Sequence, residues 1–277
     1  MAQDFPWQRH YPQHVPAEIG DPDFPSLTAL FESASARFSD RVAFENMGVK
    51  LTFGETDRLA SAFAAYLQKK LGLRKGERIA IQMPNLLQFP IAFIGALKAG
   101  LIVVNTNPLY TPREMEHQFR DAGISAIVIV ENFAANLMSI RDKVPARHII
   151  VTSMGDMLGL KGLLVNFVVR KIKKLVPPFS LPGSISFSDV LREGARLSLT
   201  PVDASLEDVA VLQYTGGTTG ISKGAQLSHR NLVCHNMMIR AWFNPYLERK
   251  RDDIVITALP LYHIFALTVN GVLMYSS

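Results

Sequence analysis

The sequence predicts an α/β fold in which layered parallel sheets are flanked by helices. Between residues 78 and 151, strand-like segments alternate with helical segments over short connections, as in strand–helix–strand units. The interiors of these strands are continuously apolar, which is typical of strands that are buried on both faces. Hydrophobic residues make up 48% of the 277 residues and charged residues 19%, so a large core is expected.

The elements before this alternation are predicted from proline content and from helix-start signals. Residues 1–25 are rich in proline and are expected to be extended. The other predictions are a helix Leu27–Phe38 capped by Ser26, a hairpin of Arg41–Phe44 with Val49–Leu51, and a helix that begins at the Thr52/Glu55 capping box and ends at Gly72.

Within the alternating region, strands and helices follow one another in order. The predicted strands are Arg78–Gln82, Leu101–Asn105, Ser125–Val130 and His148–Val151. The predicted helices are Leu86–Ala99, a helix from the Thr111-Pro112 capping box to Gly123, and Phe133–Lys143. We therefore expect an extended segment 1–25, a first α/β subdomain 26–157, a basic amphipathic segment with a proline linker 158–182, and the start of a second α/β subdomain 183–277.

A glycine- and hydroxyl-rich loop follows the next predicted strand, Val209–Tyr214. Glycines lack the Cβ that would block a ligand, so backbone N–H groups can surround an anion, and Lys223 adds a positive charge. Polyphosphate is the ligand that suits this chemistry best. A Walker loop is excluded because Lys223 precedes its glycine, and the dinucleotide spacing G-x-G-x-x-G is absent. The alternative is a flexible surface turn. After the loop, the sequence predicts an extended segment Ala225–Leu227 and then a helix from Ser228 to about Trp242.

The segment YTGGTTGISKG closely resembles the phosphate loop of acyl-adenylate-forming enzymes, the AMP-forming acyl-CoA synthetases. Its Tyr-Thr-Gly-Gly form is most similar to bacterial long-chain fatty-acid–CoA ligases, as are the segments ERIAIQMPN and AGLIVVNTNPLYTPREMEHQ. Ser222 stands where a proline is common. The resemblance implies ATP or phosphate contacts by Tyr214, Thr215, Gly216, Gly217, Thr218, Thr219, Gly220, Lys223 and Gly224.

A second motif, ALPLYHIFAL, resembles the Pro-Leu-aromatic-His motif beside the acyl pocket of the same family. The resemblance places Tyr262 and His263 at the junction of the carboxylate and the α-phosphate, with His263 as a helper that donates a hydrogen bond. A satisfied core histidine is the alternative for His263.

The family resemblance implies a two-step reaction. A fatty-acid carboxylate attacks the α-phosphorus of Mg²⁺-bound ATP and releases pyrophosphate, and the thiol of coenzyme A then displaces AMP. Family members are about twice as long as this chain, and their acidic magnesium ligand and catalytic lysine fall beyond the resemblance. We therefore expect the chain to carry neither a complete catalytic set nor a metal ligand, and to be an inactive N-terminal fragment by itself.

The segment 158–176 is basic and amphipathic. Its basic residues are Lys161, Arg170, Lys171, Lys173 and Lys174, and no acidic residue interrupts them. Such a helix is typical of reversible contact with an anionic membrane. The alternative is a surface helix with its apolar stripe on the core and its lysines in water.

Charge and cysteine content limit the remaining choices. A net charge of +5 suits an anionic partner, and a single cysteine, Cys234, excludes internal disulfides and fits the cytoplasm. Neither a secretory signal nor a spanning helix is expected. The expected location is cytoplasmic, with peripheral contact at the inner face of the cytoplasmic membrane. Nucleic-acid binding is disfavoured because the basic residues lack interleaved aromatic residues.

Three hypotheses stay open: a long-chain fatty-acid–CoA ligase, an adenylate-forming ligase for another carboxylate, or a non-catalytic module that binds nucleotide or membrane. The oligomeric state is left open by the sequence.

Overall fold

The computed structural model describes residues 5–215, 222–243, 246 and 254–276. The strands within these residues are β1 (Val42–Asn46), β2 (Val49–Thr52), β3 (Arg78–Gln82), β4 (Ile102–Asn105), β5 (Ala126–Val130), β6 (His148–Thr152), β7 (Ile185–Ser186), β8 (Val209–Thr215) and β9 (Lys223–Ser228). The α-helices are α1 (Leu27–Arg37), α2 (Phe53–Lys69), α3 (Gln88–Lys98), α4 (Pro112–Ala122), α5 (Ala134–Ser139), α6 (Gly159–Phe167), α7 (Phe187–Gly194), α8 (His229–Phe243), α9 (Ile264–Ala266) and α10 (Met274–Ser276). Short 3₁₀ turns lie at Pro6–His10, Glu131–Phe133 and Arg141–Lys143, and π-helical segments at Val168–Ile172 and Leu267–Leu273.

Among the described strands, β1 and β2 form a hairpin and the others form one sheet of seven strands in the order β7-β6-β5-β3-β4-β8-β9. All neighbours in this sheet are parallel except β8 and β9, which are antiparallel. The predicted sheet with flanking helices is confirmed. β8 lies beside β4, so the sheet continues across the segment that separates the two predicted subdomains. That subdomain division stays a prediction.

Both faces of the sheet are buried, which explains the apolar strands. On the α3 face, Ile79 and Ile81 join a core with residues of α1, α2, α3 and α7. On the α4 face, Ala80 and Val104 join a second core with residues of α4 and α5. Successive strand residues therefore alternate between two apolar environments.

The predicted helix starts are confirmed by their capping bonds. The Ser26 hydroxyl accepts the Ala29 N–H at 3.1 Å. Thr52 and Thr111 each form a complete capping box, and the second box is followed by Pro112. Gly123 ends α4 in the left-handed conformation with φ of 58°, which glycine adopts without strain.

Two elements differ from the predictions. The predicted helix Phe133–Lys143 is a short α5 flanked by 3₁₀ turns, because Ile140 leaves the helical conformation, with φ of −121° and ψ of 11°. The unpredicted helix α7 begins at Ser186, whose hydroxyl accepts the Asp189 N–H at 3.4 Å.

No helix within the described ranges is both long and apolar enough to cross a membrane.

Candidate active site

The predicted phosphate loop joins two antiparallel strands. Thr215 at the end of β8 is directly opposite Lys223 at the start of β9, and Tyr214 is opposite Gly224. The predicted contact residues Gly216, Gly217, Thr218, Thr219 and Gly220 lie outside the described residues, so their part in phosphate binding stays a prediction.

Helix α4 holds both ends of this loop. The Tyr214 hydroxyl donates to Asp121 Oδ2 at 2.5 Å. On the other side, His117 Nε2 lies 3.0 Å from the Ser222 carbonyl oxygen, to which it donates. Burial raises the pKa of Tyr214, and the Asp121 carboxylate raises it further, so the phenol stays protonated as a donor. Both ends of the loop are therefore hydrogen-bonded to the same helix, α4.

Gly224 is needed where it lies. A Cβ at this position would stand 2.9 Å from two atoms of the Tyr214 ring. The missing side chain at Gly224 therefore leaves room for the Tyr214 ring to reach Asp121. The structure thus gives Gly224 a packing role that the sequence did not predict, and its part in phosphate binding stays a prediction.

Thr215 and Lys223 are exposed on the face opposite to Tyr214. Residues directly opposite in an antiparallel pair share a face, so the hydroxyl and the ammonium project side by side. Gln213, two residues before Thr215, lies on that same face. This pair of donors at a sheet edge suits a phosphate oxygen.

Buried amides lie at the carboxyl ends of three adjacent strands: Gln82 of β3, Asn105 of β4 and Gln213 of β8. They are 0%, 3% and 7% exposed. Asn105 Nδ2 donates to Gln213 Oε1 at 3.1 Å, and Gln82 Nε2 donates to the Asn107 carbonyl at 3.3 Å. Sequence reasoning missed these residues, although each is a polar residue at or near the end of an apolar strand. The carboxyl edge of a parallel sheet is where ligands of α/β proteins bind.

The Tyr262-His263 segment is fastened to the same edge. Asn85 donates to the Thr257 and Leu259 carbonyls at 2.9 Å each, and its Oδ1 accepts the Leu261 N–H at 2.8 Å. Gln213 Nε2 donates to the Tyr262 carbonyl at 3.2 Å. The structure therefore brings the second motif to the strand that precedes the phosphate loop.

His263 is exposed, so the alternative of a buried core histidine is wrong. Its Nδ1 accepts the Phe265 N–H at 3.3 Å and so caps the start of α9. Nε2 is then the ring nitrogen available to donate to a ligand. Contact of Tyr262 and His263 with a carboxylate stays a prediction.

A cleft of about 1070 Å³ borders this segment, with Leu261 in its wall. It lies between the β1–β2 hairpin and residues 254–257 and is lined by Val42, Phe44, Met47, Leu86 and Pro90 among others. Behind Leu261, the apolar cavity next to Phe89 and Phe93 has only about 10 Å³, the space of one water molecule. Of these two spaces, the cleft has the size of a substrate site.

The basic segment presents its apolar side chains to solvent. The exposed ones are Leu160, Leu163, Leu164, Phe167, Ile172 and Leu175. The side of α6 that faces the protein carries Gly162, where a Cβ would stand only 1.9 Å from the Gly155 carbonyl oxygen. The alternative of an apolar stripe on the core is therefore wrong for these six side chains, whereas Leu158 and Val169 of the same segment are buried.

The basic residues of this segment divide into two groups. Arg170 donates twice to the buried Glu131 carboxylate at 2.9 Å and once to Ser153 at 2.7 Å, and Lys161 donates to the Met47 carbonyl at 2.9 Å. These two are anchored to the protein. Lys171, Lys173 and Lys174 are exposed.

No group of three or more His, Cys, Asp or Glu that could hold a metal ion occurs in the part of the chain that the structure describes.

Comparisons with known proteins agree with this architecture. Residues 31–277 match the AMP-binding enzyme family. The chain is 55% identical over 269 residues to a long-chain-fatty-acid–CoA ligase of Yersinia pestis and 52% identical over 268 residues to one of Salmonella typhimurium. Each alignment covers 96% of this chain but 48% of the relative, so the chain spans about half the length of the curated relatives it matches. A solved structure, a putative long-chain-fatty-acid CoA ligase from Rhodopseudomonas palustris, shares the fold with a TM-score of 0.70 at 19% identity, over 91% of this chain and 55% of that one.

Proposed function

The chain belongs to the AMP-binding enzyme family, and we propose that it is the N-terminal portion of a long-chain fatty-acid–CoA ligase. In the proposed reaction, a fatty-acid carboxylate attacks the α-phosphorus of ATP and pyrophosphate leaves. The thiol of coenzyme A then attacks the acyl carbonyl and AMP leaves. The observation that carries the proposal is the β8–β9 hairpin, which presents Thr215 and Lys223 together at the carboxyl edge of the sheet.

The role proposed for these two side chains is electrostatic. Negative charge moves onto the β- and γ-phosphates as pyrophosphate leaves, and fixed donors that face it lower the barrier. Lys223 supplies a full charge and Thr215 a hydroxyl donor. Because Tyr214 and Ser222 are bonded to α4, the strand ends that carry these donors need no reorganisation during the reaction.

We propose that magnesium accompanies ATP as the counter-ion of its phosphates. Mg²⁺ at such sites is usually held by one or two carboxylates together with substrate phosphates. Because the described residues contain no cluster of metal-binding side chains, its protein ligand is not proposed among them.

The acyl substrate is proposed to enter the cleft beside Leu261, with its carboxylate toward Tyr262 and His263. His263 Nε2 would donate to the carboxylate or to the α-phosphate. The proposed class of substrate is a long-chain fatty acid, since the curated relatives named above carry that name.

Exchange between ATP and labelled pyrophosphate tests this proposal. We would fuse the chain to the part of the Salmonella typhimurium relative that follows the matched region, and measure palmitate-dependent exchange. Lys223→Ala should lower exchange by at least about 100-fold, as the loss of one preorganised donor does. Lys70→Ala is the matched control, since Lys70 is exposed and lies 3.6 Å from Glu193, away from the loop.

Two results would contradict the proposal. An unchanged exchange rate in the Lys223→Ala fusion would show that the loop takes no part in the reaction. A folded fusion that exchanges with aromatic acids and not with fatty acids would favour the ligase for another carboxylate.

A second proposed function is reversible docking of the basic segment on an anionic membrane, from the cytoplasmic side. The exposed apolar face of α6 supports it. Leu160, for example, is 87% exposed, and no part of the described chain covers this face. Lys171, Lys173 and Lys174 together supply an attraction of about 3 kcal/mol at an anionic surface. A substrate that partitions into lipid makes such contact useful.

Vesicle sedimentation tests the docking. Simultaneous replacement of Lys171, Lys173 and Lys174 by Ala should weaken binding to phosphatidylglycerol vesicles about a hundredfold, the equivalent of about 3 kcal/mol. Replacement of Lys70, Lys143 and Arg192 by Ala removes the same charge elsewhere on the surface and should change binding much less. Equal losses in the two variants would show that net charge, not this segment, governs the binding.

A further inference from the structure

One buried amide, that of Gln213, connects the two motifs. Its Oε1 accepts from Asn105 Nδ2 at 3.1 Å and its Nε2 donates to the Tyr262 carbonyl at 3.2 Å. Both the oxygen and the nitrogen of the side-chain amide are therefore hydrogen-bonded. Gln213 lies two residues before Thr215, so it joins the start of the phosphate loop to the segment that carries His263.

The same network continues into α4. Gln118 Nε2 donates to the Asn105 backbone carbonyl at 2.9 Å, and Gln118 is fully buried. Its helix neighbours His117 and Asp121 hold Ser222 and Tyr214, the two ends of the loop. Hydrogen bonds thus connect both the ends of the loop and the Tyr262 segment to the same two elements, α4 and the end of β4.

Stability does not explain why amides occupy these positions. Burial of an amide is unfavourable unless all its groups are bonded, and Asn105 Oδ1 and Gln118 Oε1 have no hydrogen-bond partner among the described residues. On β5, the residue paired with Gln82 is the apolar Ile129. An apolar side chain is therefore accommodated at this edge of the sheet, away from the loop.

We infer that Gln213 is a positioning residue, whose bridge from Asn105 to Tyr262 holds His263 at a fixed place relative to the phosphate loop. This inference rests on the proposed function in one respect, that the loop binds ATP and His263 faces the reacting carboxylate. In-line attack needs the carboxylate and the α-phosphorus in near-contact alignment, and a misplacement of about 1 Å costs roughly a hundredfold in rate. A neutral amide provides the alignment without adding a charge beside the phosphates.

The first test uses the unliganded chain. Gln213→Met keeps the size of the side chain and removes both bonds. We expect the His263 imidazole signal in ¹H–¹³C NMR spectra to shift, and amide exchange at residues 263–267 to rise about fivefold, as loss of one hydrogen bond predicts. Gln82→Met is the matched control, because Gln82 is also a buried amide at the same sheet edge and bonds Asn107, not Tyr262.

Shifts of equal size in the Gln213→Met and Gln82→Met chains, or none in the first, would overturn the inference. If Gln213→Met does not fold, Gln213→Asn replaces it, since an amide one methylene shorter cannot reach both partners. The same signature is expected, and its absence again overturns the inference.

The second test uses the fusion enzyme described above. Gln213→Met should lower kcat for pyrophosphate exchange about tenfold and change the KM for ATP by less than about twofold, because alignment and not nucleotide binding is lost. A rise in KM alone would contradict a positioning role. An inactive parent fusion would refute the proposed function instead, and the NMR comparison would still decide the role of Gln213.

Discussion

The contact between Gly224 and Tyr214 gives the most direct test of how the phosphate loop is held. In Gly224→Ala, the new Cβ would lie 2.9 Å from the Tyr214 ring and 3.2 Å from its hydroxyl oxygen. The ring is only 7% exposed and packs in the α4 core, so it cannot move without displacing its neighbours. Overpacking of this kind costs about 1–3 kcal/mol, and loss of the bond to the Asp121 carboxylate adds about 1.5–3 kcal/mol.

We therefore expect Gly224→Ala to lower the free energy of unfolding by about 3 kcal/mol, which for a chain of this size lowers Tm by about 6–12 °C. Thermal unfolding followed by circular dichroism measures the change. The decisive comparison is a double-mutant cycle with Tyr214→Leu, in which the ring is absent and Gly224→Ala should cost less than about 1 kcal/mol. Additive effects of the two substitutions would refute the close contact between Gly224 and the Tyr214 ring.

Two further predictions concern buried titratable groups. His229 is 4% exposed, its Nδ1 accepts the Leu27 N–H at 3.1 Å, and burial lowers its pKa to about 4 from 6.5. The unfolded chain therefore takes up the proton first: stability is full above pH 6.5 and falls by about 3 kcal/mol as the pH drops toward 4, a slope that urea titrations should show and that His229→Gln should flatten. Arg170→Met should lower stability to urea by about 2 kcal/mol, less than the ~3–5 kcal/mol of fully buried pairs, because the Arg170 side chain is 45% exposed while Glu131 is 5% exposed. Addition of Glu131→Gln should restore most of this loss, and a double variant as unstable as the single one would contradict the pairing.

Local signals in the sequence predicted most of the helices and strands. The capping boxes at Thr52 and Thr111 use residues that are three positions apart, so their bonds form wherever the helix forms. The apolar runs predicted β3 to its observed ends because both faces of the sheet are buried. The prediction of one helix Phe133–Lys143 was wrong, because the chain leaves the helical conformation at Ile140 and no local signal in the sequence marks that position.

The sequence predicted only those parts of the candidate site that are continuous segments of the chain. The loop and the Tyr262-His263 motif are continuous segments and were found from their residues. The contacts that join them pair residues far apart in the chain: Asp121 with Tyr214, His117 with Ser222, and Asn105 with Gln213. Such pairs depend on the order of strands in the sheet, and a single sequence does not predict that β8 inserts beside β4. Charged residues on α4 also look like an ordinary solvated helix face until the loop is placed on it.

In the proposed reaction two substrates must be aligned, and the order of the strands sets how the two motifs lie relative to each other. Because β8 is parallel to β4 and antiparallel to β9, its carboxyl end carries the phosphate loop while its neighbour Asn105 reaches the same edge. Successive side chains of β8 point to opposite faces of the sheet. Tyr214 therefore lies on the α4 face and bonds Asp121, whereas Gln213 and Thr215 lie on the face of the Tyr262 segment. A shift of one residue in the β8 register would exchange these faces and break both sets of bonds at once. The positions of the two ends of the phosphate loop and of the His263 segment are therefore set by the same register, so a variant that disturbs one should disturb the other.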